Sequence, residues 1–276
     1  MRENKKNLNQ AIDWIADHAK GIEFSGLNLE KDEDPIRKAE AVRKRCEKKG
    51  LQIVGYCTGA NLLQGTLKEE EAEIERVKRE VDVAARLGVK NMRHDVMYGF
   101  PKNWRGPKTL HAVLKGVVPA IREIADYAAT LGVKTSLENH GFYMQGPDRV
   151  EKLLKTVNHP NYGLTIDLGN FLCVDADPVA AVKQLAKYAI HAHIKDFHVK
   201  PKTQIPTVGW FMTPTKIALR GAIVGHGCID LASSLKHLKK AGYKGWLSLE
   251  FEGIEEPTFA ITEGLKEAQR LLDGVE

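Results

Sequence analysis

Glu138, Asp167, His193 and Glu250 close four stretches of one kind: "VKTSLE", "YGLTID", "IHAH" and "GWLSLE" each run through β-favouring residues and stop at an ionisable group. Carboxylates gathered without a cation repel one another and resist burial. A divalent metal resolves that conflict. Three oxygen ligands with one imidazole suit Mn²⁺, Mg²⁺ or Co²⁺, with Mn²⁺ the leading expectation and Zn²⁺ feasible. Taken singly, each residue has an ordinary explanation as a helix cap, an ion pair or a hydrogen-bonded core group. The metal reading therefore depends on one fold bringing all four to one rim.

Neighbouring polar groups suggest what else the rim would hold. His191 lies two residues before His193 and faces the same side of an extended chain, one layer deeper. His140 follows Glu138 by two, Asp196 follows His193 by three, and His94 leaves an earlier strand with Arg93 and Asp95 in "NMRHDV". His94, His140 and Asp196 are expected to meet a substrate or to orient a ligand. Glu252 is a rival to Glu250, and Lys195 is read as pointing away from the pore. Trp210, Phe211 and Met212 offer an apolar wall for a sugar ring.

The elements that must position these groups alternate along the chain. Helical periodicity over 8–20, 34–49, 68–88, 117–132, 146–157, 178–189, 230–242 and 258–274 separates seven strand candidates, beginning with "GIEF" at 21–24. Such alternation implies right-handed βα units and a mainly parallel sheet. Periodicity does not separate an open doubly wound sheet from a closed (β/α)8 TIM barrel, but polar exits on at least four successive strands favour the barrel, whose strand ends share one mouth. Residues 1–276 read as a single domain whose first strand is missing. Two excursions, 96–116 and 199–229, exceed ordinary βα connections and are candidate lids. Glycines 88, 132 and 242 sit where left-handed helix caps belong.

With 276 residues, 43% hydrophobic and 28% charged, the chain can bury a sizeable core. Its net charge of +5 is spread over helix-like segments rich in both signs, which argues against a nucleic-acid groove. Cys46, Cys57, Cys173 and Cys228 are too scattered for a disulfide framework. The polar start "MRENKKNLNQ" and the lack of any run of about 18 apolar residues point to a cytoplasmic protein without membrane partners. No GxGxxG fingerprint suggests a dinucleotide. An open sheet edge invites association and leaves room for a homo-oligomer.

"SLEN", "GLTIDLGN", "HAHIKDF" and "GWLSLEFEG" resemble the signatures of the sugar phosphate isomerase/epimerase superfamily, the xylose isomerase-like TIM barrels that include ketose epimerases, hydroxypyruvate isomerases, inosose dehydratases and the endonuclease IV branch. The resemblance spans nearly the whole chain. It implies Glu138, Asp167, His193 and Glu250 as metal ligands. It also implies Glu138 and Glu250 as the catalytic pair that removes and returns a proton beside a carbonyl, by way of an enediolate. The implied substrate is a small carbohydrate-like carbonyl compound. A dehydratase of a keto-polyol such as an inosose shares the first half of that reaction, and a non-catalytic sugar- or protein-binding barrel is the reading outside enzymes. The chain departs from the pattern at Asn170, where a histidine is frequent and which becomes a substrate-binding candidate, and at His226, where glutamate is common. The DxH pair of the endonuclease branch is not visible between 197 and 230.

Overall fold

The computed structural model describes residues 7–27 and 29–275; residues 1–6 of the polar N-terminal stretch lie outside that description. Seven parallel strands form the barrel wall in the order β1 (Gly21–Ser25), β2 (Gln52–Thr58), β3 (Asn91–His94), β4 (Lys134–Glu138), β5 (Tyr162–Asp167), β6 (Ala189–Ile194) and β10 (Leu247–Leu249). Each successive strand pairs with the one before it, so the strand ends advance round a nearly closed TIM barrel. β1 and β10 stand next to one another, with no backbone ladder joining them among the described residues. Beside them opens a cavity of about 1190 Å³, lined by Trp14, Ile22, Trp246, Leu247, Ile261 and Leu265 among others.

Helices α1 (Leu8–Ala16), α2 (Pro35–Lys48), α3 (Leu67–Leu87), α4 (Leu110–Thr130), α5 (Pro147–Val157), α6 (Pro178–Leu185), α7 (Leu231–Lys240) and α8 (Pro257–Asp273) pack outside the wall. Local chemistry sets their ends. Asp34, Thr66 and Asp177 accept hydrogen bonds from backbone N–H groups of the first turns of α2, α3 and α6. Gly88 ends α3 at φ 82°, a left-handed conformation that costs glycine little. The apolar stripe of α4, including Val117, Ile121 and Ile124, is fully buried, as are Leu153 on α5 and Leu164 and Ile166 on β5. Core packing thus lies between wall and helices, while the inside of the wall carries polar groups such as Ser136 and Thr165, whose hydroxyls meet at 2.8 Å.

The second excursion is ordered and not an irregular loop. It forms a three-stranded antiparallel sheet of β7 (Asp196–Pro201), β8 (Phe211–Met212) and β9 (Ile217–Ala222), with β9 central. The first excursion stays irregular up to the start of α4, with Phe100 packed on Trp104 and edge-on to Tyr143. No described helix is long and apolar enough to cross a membrane.

Candidate metal centre and active site

Strand register gathers the four sequence-predicted ligands. Glu138 ends β4 opposite Thr165, Asp167 ends β5 opposite His193, and His193 lies opposite Ser248 of β10. Glu250 follows β10 directly, its N–H donating to the Ile194 carbonyl at 3.0 Å. The closest ligand atoms of Glu138, Asp167, His193 and Glu250 all lie within 4.8 Å of one another. His193 Nδ1 is 3.1 Å from Glu250 Oε1 and 3.6 Å from Glu138 Oε1.

Two atoms of this cluster are left over. Asp167 Oδ1 accepts from the backbone N–H groups of Gly169 and Asn170, both at 2.7 Å, but Oδ2 is buried without a hydrogen-bond partner. His193 Nδ1 is buried in the same condition. Buried polar atoms without partners are costly, and two of them within one carboxylate cluster fit a divalent ion. Oxygen and imidazole donors together fit the harder divalent metals and zinc.

The family model described as xylose isomerase-like TIM barrel matches residues 12–274. The chain belongs to that family. It is 25% identical to the rhizopine catabolism protein MocC of Rhizobium meliloti over 78% of this chain and 67% of that protein. It is 29% identical to an inosose dehydratase of Glaesserella parasuis over 50% of this chain and 47% of that enzyme, so the match spans about half of that relative's length. Among solved structures, the fold superposes on the IolI protein with a bound zinc atom at a TM-score of 0.75 and 20% identity, covering 98% of this chain and 93% of that one.

In this xylose isomerase-like barrel, opposing charges set the state of each ligand. Burial would raise the Glu138 carboxyl, but Arg93 donates twice to its Oε2, from Nε at 2.6 Å and Nη2 at 2.5 Å, and holds it well below the usual carboxylate range. Oε1 stays directed at His193 and accepts from Asn170 Nδ2 at 2.9 Å. Burial pushes Asp167 up to about 6 against the attraction of Lys195, with Glu250 and Glu138 adding repulsion. Glu250 also pays for burial, yet His193 and Lys195 keep it at about 2.

Lys195 corrects the sequence reading. Its side chain points into the cluster, almost fully buried, with Nζ 2.6 Å from Glu250, 3.4 Å from Glu252 and 3.6 Å from Asp167. The reason is elementary: residues two apart on an extended chain share a face, so Lys195 follows His193 inward. Glu252 reaches this ammonium from the rim, where its side chain is 58% exposed.

The candidate substrate groups divide. Asn170 bridges Glu138 and Lys195, and half-exposed His140 stands at the rim with Nδ1 3.2 Å from Asp95. His94 is brought elsewhere: it is fully buried, bonded through Nδ1 to the Asp95 carbonyl and packed near Tyr162. Asp196 is also engaged, accepting backbone N–H groups of Phe197, Gly225, Gly227 and Ile229, and so anchors the excursion sheet. Trp210 and Phe211 pack on that same sheet, against Arg220 and Phe197. Glu23, on β1, was not singled out from the sequence. Its carboxylate lies 2.8 Å from His191 Nε2 and 3.1 Å from His193 Nε2. A glutamate in the middle of the otherwise apolar "GIEF" was the available signal.

Proposed function

We propose that this chain is a metal-dependent isomerase or epimerase of a sugar or related small polyhydroxylated carbonyl compound. The observation that carries the reading is the pair Glu138 and Glu250, both kept ionised beside His193 Nδ1 and beside an Asp167 Oδ2 that no hydrogen bond satisfies. Glu138, Asp167, His193 and Glu250 would hold the ion, which when bound supplies Lewis acidity toward the carbonyl oxygen. One glutamate takes the proton from the hydroxyl-bearing carbon beside the carbonyl, giving an enediolate. The other returns a proton either to the opposite face of that carbon, which epimerises it, or to the former carbonyl carbon, with the hydroxyl proton passing between the two oxygens, which isomerises the compound. Arg93 keeps Glu138 ionised and fixes its Oε1 toward the cluster. Asn170, which donates to Glu138 and accepts from Lys195, and His140 at the rim are placed to meet substrate hydroxyls.

A second reading is dehydration of a keto-polyol. Lys195 favours it, because an ammonium 2.6 Å from Glu250 is placed to hydrogen-bond and stabilise a departing β-hydroxyl after the same proton abstraction. The likeness to an inosose dehydratase points the same way.

The test is solvent deuterium exchange. Ketoses and keto-inositols would be incubated in D2O with Mn²⁺-loaded protein and followed by proton NMR, with ultraviolet absorbance reporting a conjugated enone. Deuterium at the carbon beside the carbonyl without enone supports isomerisation or epimerisation; enone formation supports the dehydratase. Exchange that persists unchanged in both Glu138→Gln and Glu250→Gln would overturn the assignment of the pair.

A further inference from the structure

We propose that Glu23 is a positioning residue that holds His193 with its Nε2–H turned to the barrel wall, so that Nδ1 is the nitrogen turned to Glu138, Asp167 and Glu250 and offered to a metal. The inference rests on the metal reading above and adds how the imidazole is set.

Several separate features converge on the Glu23 carboxylate. The β1–β2 register slips between Ile22 and Glu23, and a slip of this kind re-aims the side chain that follows it. Gly55, on the facing strand, leaves the space that the carboxylate fills: a Cβ there would lie 2.5 Å from Glu23 Oε1. Cys57 Sγ donates to Oε1 at 3.1 Å. Oε2 faces His191 Nε2 at 2.8 Å and His193 Nε2 at 3.1 Å.

The chemistry of these contacts fixes the tautomer. An ionised carboxylate only accepts, so each imidazole must present N–H at Nε2. On His193 the nitrogen left to face the cluster is Nδ1, which lies 3.1 Å from Glu250 Oε1 and would give up its own proton where a metal binds. A carboxylate behind a ligating imidazole locks the ring plane and strengthens the ring as a donor to metal. Glu23, Cys57 and His193 are themselves close enough to hold an ion. Both oxygens of Glu23 already accept hydrogen bonds, however, which assigns it to orientation rather than to a second metal.

The experiment uses the full chain labelled with 15N-histidine. Ring nitrogens are correlated with ring protons, metal-free and Zn²⁺-loaded, and Zn²⁺ is titrated calorimetrically into wild type, Glu23→Gln and Gly55→Ala. The expected result is a proton on His193 Nε2 in both wild-type states, with Nδ1 shifting when zinc enters. Glu23→Gln can accept at one atom only, so it should place part of His193 in the other tautomer and weaken zinc roughly 10- to 100-fold. Gly55→Ala should weaken zinc in the same direction by displacing an intact carboxylate. A deprotonated His193 Nε2 in the metal-free wild type, two zinc ions per chain, or Glu23→Gln binding zinc within about twofold of wild type would overturn the proposal. The wild-type spectrum requires no variant to fold. Should wild type take up no zinc, the metal reading fails, while the metal-free tautomer still decides the role of Glu23.

Discussion

At the scale of single residues, the ammonium of Lys195 changes the electrostatics of the site. It supplies positive charge to Glu250, Asp167 and Glu252, so the metal-free cluster is partly neutralised from within. Lys195→Met should therefore destabilise the metal-free protein by about 3–5 kcal/mol, the cost of leaving buried carboxylates uncompensated. Added Mn²⁺ should then raise the variant's melting temperature by more than it raises that of wild type, as scanning calorimetry would record. Asp167 sets the pH dependence. Burial holds its pKa at about 6, above its unfolded value near 4, so the folded chain binds this proton more tightly. Its stabilising contribution to the metal-free fold is complete below the unfolded pKa and is lost as pH rises through about 6. A metal ion competes with that proton. Its affinity should climb with pH through 6 and keep rising above it, because against the effect of burial the Glu23 carboxylate holds the His193 imidazole well above its ordinary pKa and that proton must leave as well, which titrations at pH 5 to 8 would check.

At the scale of elements, the turn after β5 is where backbone shape and site chemistry meet. A Cβ on Gly169 would lie 2.7 Å from the Lys195 carbonyl, so this turn can close over the segment after β6 only with glycine. Gly169→Ala should shift the N–H groups that bind Asp167 Oδ1. The expected cost is about 1–3 kcal/mol of stability together with weaker metal binding, although no ligand is altered; thermal melts and calorimetric titration measure both. Much of the wall was legible in the sequence, because a parallel strand buried on both faces has little reason to end in charge unless something collects those ends. Glu138, Asp167, His193 and Glu250 were found that way. The excursion after β6 was not, since β8 has only two residues and the three strands are separated by "KTQIPTVGW" and "TPTK", whose Pro and Gly read as loop. Lys195 was misplaced where strand counting should have been kept past the end of β6. Asp196 looked free because composition does not reveal that a carboxylate will spend its lone pairs on the N–H of its neighbour and on three distant backbone N–H groups.

At the scale of the whole molecule, the thiols report how the barrel excludes water. Cys46, Cys57 and Cys173 are buried, and burial raises their pKa values to about 11, about 12 and about 12, whereas Cys228 is exposed. Burial and Asp196 raise the Cys228 thiol as well, so a thiol reagent at pH 8 should modify Cys228 first, by virtue of its exposure, and the other three only on unfolding, a pattern that peptide mass mapping resolves. The place where β1 meets β10 without a ladder has a different consequence. A closed wall shares strain among all its strands, but this one has, among the described residues, a joint without a backbone ladder, with Glu23 on one bank and Glu250 just beyond the other. Whatever parts the banks also carries Glu250 away from Glu138. Breathing of the wall and loosening of the ligand set thus become a single motion, and a chain warmed below its melting point should release its ion before it loses its helices.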